Sequence, residues 1–144
     1  RVEVHIKDKP LYANADADAI SRILKNLIDN AIKYGSSGKF LGLSLCEKNN
    51  HISIDIEDHG KGISETDKKY IFTRTYTVDR KKGNELGLAI SQGLASSMGG
   101  SISVFSIPRK KQYLRSDYKV RKKLESNKKK ENFILYTFFR KEVA

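Results

Sequence analysis

Three groups of residues in this chain have types and spacings that could do chemistry. Asn26, Asn30 and Lys33 fall at i, i+4 and i+7, so on a helix they project from one side. The plain account is a solvated polar face, which most amphipathic helices carry. Two asparagines weigh against it, because the Asn amide competes with the backbone for hydrogen bonds and a merely soluble face would draw on Glu, Lys or Gln. The second group, Asp58-His59-Gly60-Lys61-Gly62, directly follows a strand-like run. Its glycines let the backbone turn sharply and come close to a ligand. A carboxylate at a strand end can accept a hydrogen bond from an amino group such as that of adenine. Taken alone, the segment is also an ordinary Asp-x-Gly turn. The third group, Gly83 to Ala89, is a glycine-bearing loop running into a helix. Backbone N–H groups at such a helix start suit phosphate oxygens, although loop-to-helix junctions are common.

The elements that must position these residues can be read from periodicity. Val2, Val4 and Ile6 alternate with polar residues and suggest a strand with one buried face. After a turn-like stretch, Asp16 or Asp18 can cap a helix whose stripe is Ile20, Ile23, Leu24, Leu27, Ile28, Ala31 and Ile32, closed by Gly35. Residues 40–46 and 52–56 read as strands. Ser64 with Asp67 forms a capping-box variant for a short helix to about Phe72. Residues 73–85 have no clear period and read as a loop. A second helix starts near Leu86 with Ile90, Leu94 and Met98 as its buried spacing, and Gly99-Gly100 ends it. SISVFSI and the late FILYTFF read as strands. The order β-α-β-β-loop-α-β-β implies an α/β sandwich with helices on one face of a mixed sheet.

Composition bounds the answer. The chain has 144 residues, 38% hydrophobic and 31% charged, enough for one domain with a modest core. No apolar run approaches the ~18 residues of a membrane span. Cys46, the one cysteine, lies in an apolar stretch and reads as a buried structural thiol. The net charge of +11 is concentrated: residues 108–131 contain eleven Lys/Arg and three acids. Like charges at that density repel, so the segment is expected to be a solvated basic insert, mobile or only partly helical. Contacts with an acidic partner, anionic lipid or nucleic acid are its functional alternatives.

In order and spacing the motifs form a recognisable set. NLIDNAIKY resembles the N box of sensor histidine kinases, DHGKGI their first glycine box and YIFTRTY their F box. GNELGLAI is similar to their second glycine box, and SMGGSISV to the strand start that follows. The resemblance spans about residues 2–107 together with the terminal strand. It implies the Bergerat ATP-binding sandwich, with a mixed, mostly antiparallel sheet, shared with DNA gyrase, MutL and a heat-shock chaperone. It implies ATP and Mg2+ as cofactors, with Asn30 as the magnesium ligand, Lys33 on phosphate and Tyr34 near the adenine or ribose. Asp58 would read the adenine amino group, Gly60 and Gly62 would admit the base, and Ile63 would pack on it. Gly87 and Leu88 would turn backbone N–H groups to the phosphates, and residues 73–85 would form the ATP lid.

Position 26 separates branches of that superfamily. Where the hydrolases carry a glutamate that activates water, this chain has Asn26, whose amide cannot act as a general base. The resemblance therefore implies phosphotransfer to a histidine. None of His5, His51 and His59 lies in an H-box context, so the phosphoacceptor and any general base are expected on an upstream dimerisation domain outside this sequence. The implied partners are that domain and a response-regulator receiver, and the implied parent is a homodimeric, membrane-anchored sensor whose catalytic portion is cytosolic. Glu85 stands where the second glycine box has a glycine and would repel phosphates unless turned toward solvent, Lys81 or Lys82. A degenerate nucleotide-binding regulator and a basic interaction module are the competing readings.

Overall fold

The computed structural model describes residues 1–6, 11–73, 86–107, 110–120 and 132–134. In chain order the elements are β1 (Val2–Ile6), β2 (Tyr12–Asn14), α1 (Ala17–Gly35), a 3-10 turn (Ser36–Gly38), β3 (Leu41–Lys48), β4 (His51–Asp58), α2 (Glu65–Lys68), α3 (Leu86–Ser97), β5 (Ser101–Ile107), β6 (Lys111–Lys119) and β7 (Asn132–Ile134).

Asp16 is the residue that caps α1: its carboxylate accepts the Ala19 N–H at 2.8 Å. Ile20, Ile23, Leu24, Leu27 and Ala31 then bury one stripe of the helix. Ile32, expected in that stripe, is 57% exposed. One residue past Ala31 the helix has turned through roughly 100°, which carries Ile32 off the sheet. β3 and β4 form a hairpin across Asn49 and Asn50, both at positive φ (53° and 61°), the backbone that suits a two-residue turn between twisted strands.

The main sheet runs β1-β3-β4-β6-β5, with β1 parallel to β3 and the other pairs antiparallel. Its inner face carries Leu43 and Leu45, then Ile52, Ile54 and Ile56, Leu114 and Ile102, all buried with α1 in one core. α1 packs on β3 and β4 and α3 on β5 and β6, while the two helices also touch each other. The result is an α/β sandwich with a mixed, mostly antiparallel sheet, as the sequence implied.

The basic segment differs from its expectation. Lys111–Lys119 is a strand hydrogen-bonded on both sides, to β4 and to β5. Gln112, Leu114, Ser116 and Tyr118 point inward and are buried, while Tyr113, Arg115 and Asp117 face outward. The charge there is matched: Arg115 makes two hydrogen bonds to Asp55, at 2.8 and 2.9 Å, and its guanidinium lies over the Phe105 and Tyr113 rings. Strand formation in this segment therefore rests on cross-strand partners, in the preceding strand β5 and in β4, which is distant in sequence. Residues 121–131 lie outside the described residues.

Three smaller expectations also change. Cys46 is exposed, because Leu43 and Leu45 take the inner face and alternation sends Cys46 outward. Ile90 is 37% exposed, and Leu88, Ser91 and Ala95 supply the buried positions of α3. A short strand, β2, pairs with β7 in a separate two-stranded sheet where the sequence suggested only a turn. Of the late apolar run, only Phe133 and Ile134 fall among the described residues.

Candidate nucleotide site

Asp58 ends β4 on the inner face and is 3% exposed. Its Oδ1 accepts the Gly60 N–H at 2.9 Å, and its Oδ2 accepts the Gln112 side-chain N–H at 2.8 Å. Burial pushes the carboxyl above its ordinary value, and the hydrogen bonds from Gln112 and Gly60 and the nearby His59 pull it back. The end of α1 and the glycine loop close on this carboxylate. A Cβ at Gly35 would fall 2.4 Å from the Asp58 Cβ, and one at Gly60 would fall 2.5 Å from the Tyr34 carbonyl oxygen. Neither position has room for a side chain. Gly62 has φ +78°, and the following Ile63 is buried with its N–H donated to Ser106 Oγ at 3.0 Å.

The other end of the site lies along α1. The Asn26 amide donates to the Gly87 carbonyl at 3.2 Å and to Ser91 Oγ at 3.1 Å, which ties the middle of α1 to the start of α3. Leu88, 5% exposed, packs into the core beside it. One turn further along α1, Asn30 is 7% exposed, and its side chain makes no hydrogen bond among the described residues. Lys33 Nζ sits over the Tyr34 ring, 5.5 Å from its centroid.

α1 thus carries the predicted residues in two groups. At its middle Asn26 meets Gly87; at its C-terminal end Gly35 meets Asp58, and Gly60 packs on the backbone of Tyr34 and Gly35. Asn30 and Lys33 lie between them on the helix. Glu85 and the lid beyond Thr73 fall outside the described residues. His59, inside the glycine loop, turns away: its ring stacks on Phe40 at 4.0 Å and Nε2 meets Glu57 at 2.8 Å. His51 contacts the Asn49 carbonyl, and His5 lies beside Glu3 on the edge strand.

Gln112 and Ser91 are polar residues at these contacts that sequence reasoning missed. Ser91 sits one helical turn past Gly87, a spacing that could have flagged it. The signal for Gln112 is weaker, an inward polar position in a strand hidden by its flanking lysines.

Comparison with known proteins bears on the family and the fold. Residues 15–134 match the model of the family described as histidine kinase-, DNA gyrase B-, and HSP90-like ATPase. The sensor histidine kinase YcbM of Bacillus subtilis (strain 168) is 46% identical over 110 residues, 73% of this chain and 35% of that protein. The signal transduction histidine-protein kinase ArlS of Staphylococcus haemolyticus is 37% identical over 109 residues, covering 72% of this chain and 24% of that one. The matched region is therefore about a third or less of the length of these relatives. Among solved structures, the mycobacterial sensor histidine kinase MprB shares the fold with a TM-score of 0.72 at 24% identity, covering 83% of each chain.

Proposed function

The chain belongs to the histidine kinase-, DNA gyrase B- and HSP90-like ATPase family, and from that premise we propose that it is the ATP-binding catalytic module of a two-component sensor histidine kinase. The observation that carries the reading is Asp58, a buried carboxylate walled by Gly35 and Gly60 at the C-terminal end of a helix whose middle meets Gly87. From Asn26 to Gly35 the helix advances about 13 Å, a length suited to an extended nucleoside triphosphate. In this reading Asp58 accepts the adenine amino group, Gly60 and Gly62 let the base approach, and Ile63 packs on it. Lys33 and the backbone of Gly87 and Leu88 face phosphate, and Tyr34 lies near the base or sugar. Asn30 fits magnesium, since its uncommitted amide oxygen is the hard ligand that a hydrated, phosphate-bound Mg2+ takes from a protein. Bound there, the ion would neutralise phosphate charge during transfer.

Asn26 supports transfer over hydrolysis. Its side-chain N–H groups are spent on Gly87 and Ser91, and an amide cannot take a proton from water. Its role here is to hold the start of α3 in place. The acceptor histidine belongs to a separate dimerisation domain of a homodimeric, membrane-anchored parent. The phosphoryl group then passes to a receiver domain.

Isothermal titration with a non-hydrolysable ATP analogue tests the site, and phosphohistidine formation after joining the upstream domain tests the activity. Magnesium-dependent binding without self-phosphorylation of the isolated chain is the expected result. Absence of binding would remove the reading, and robust phosphorylation of His5, His51 or His59 would contradict the separate acceptor.

A further inference from the structure

The polar floor of the site holds one atom with nothing to do. Gln112 is 3% exposed, and its Nε2 is committed to Asp58 Oδ2. Its Oε1 is buried without a hydrogen-bond partner among the described residues. A strand-interior acceptor left dry and unpaired costs free energy, and native structures keep such atoms rare. Amide covalent geometry sets Oε1 roughly 2.3 Å from Nε2. It therefore lies within about 5 Å of the Asp58 oxygen, a second acceptor beside the first.

We propose that Gln112 is a second base-reading residue: while its Nε2 holds the Asp58 carboxylate, its Oε1 accepts a hydrogen from the exocyclic amino group of adenine. This rests on the ATP-binding reading above and adds a specificity device to it. An amino group offers two hydrogens to two acceptors. A 6-oxo group offers none at that position, and its oxygen would face Asp58 Oδ2 and Gln112 Oε1 together. The Gln112 amide could serve an oxo group only by rotating half a turn. That rotation would withdraw Nε2 from Asp58 and set Oε1 against the carboxylate. The two residues thus lock each other into the arrangement that selects adenine over hypoxanthine or guanine.

Titration of Mg·ATP and Mg·ITP into wild type, Gln112→Leu and Gln112→Met tests this, with thermal melts as the check on folding. Wild type is expected to prefer ATP by more than tenfold. The variants should lose about 3- to 10-fold in ATP affinity while ITP changes less than twofold, so that the preference shrinks by the same factor. An equal loss for both nucleotides would mean a structural role only and overturn the inference. So would an unchanged preference. If neither variant folds, the wild type decides with N6-methyl-ATP, which keeps one amino hydrogen for Asp58 and removes the second: binding within twofold of ATP overturns the proposal, and a larger loss upholds it. A wild type that binds no adenine nucleotide would instead sink the ATP reading, a separate outcome.

Discussion

Burial works against the ionised form of Asp58, and only a few groups offset that penalty. Its carboxyl stands above the ordinary value because desolvation outweighs the Gln112 and Gly60 hydrogen bonds. An aspartate whose folded pKa is raised is a liability above that pKa, where the folded state must hold a charge the unfolded chain solvates freely. The liability fades as pH falls toward about 4, where both states are protonated. Asp58→Asn should therefore melt higher than wild type at pH 7–8, with the advantage disappearing near pH 4 in thermal scans. In the same protein, Mg·ATP affinity should fall at least tenfold, because the proposed buried acceptor for the amino group is gone. Asp58 was legible in the sequence because the glycines that shape its surroundings, Gly60 and Gly62, follow it directly. Gln112 was not, because its role comes from facing Asp58 across two strands, 54 positions away. No local pattern encodes that register.

The same contrast holds for whole elements. α1 and the β3–β4 hairpin announce themselves through strong local periods, the apolar stripe of one and the Ile52-Ile54-Ile56 alternation of the other. β6 does not, since its inward set of Gln112, Leu114, Ser116 and Tyr118 contains one aliphatic residue and its flanks are lysines. What makes it a strand is the pair of neighbours it fits between. Leu114 sits at the centre, 2% exposed, opposite Ile56 on one side and Val104 on the other. Leu114→Ala is expected to cost about 2–5 kcal/mol in urea unfolding. A solvated basic loop would make the same change worth less than about 0.5 kcal/mol. Tyr118 adds a pH signature to this strand. Burial pushes its phenol up to about 12, so the folded state resists an ionisation that the unfolded chain undergoes near 10. Stability contributed by keeping it neutral is full below pH 10 and is lost as pH rises toward 12.

At the scale of the molecule, one core joins α1 to the sheet, and the order of strands departs from the order of the chain. β4 lies beside β6, although α2, α3 and β5 all intervene between them. Every nucleotide residue that the sequence nominated after Asp58 lies on that excursion, which leaves the sheet at β4 and re-enters it at β5 before β6 fills the gap. Such a closure is a long-range contact whose loop entropy must be met before the pairing is rewarded, and this makes it a late event in folding. The Asp58–Gln112 hydrogen bond is that closure seen at atomic scale. Chain collapse can bury Ile52, Ile54 and Ile56 under α1 before the proposed base pocket exists, since that pocket needs the last gap in the sheet to be filled. A nucleotide would then find nothing to grip in the folding transition state. Added Mg·ATP should leave the refolding limb of a chevron where it is and lower the unfolding limb alone, so that bound nucleotide lengthens the lifetime of the native protein without hastening its birth.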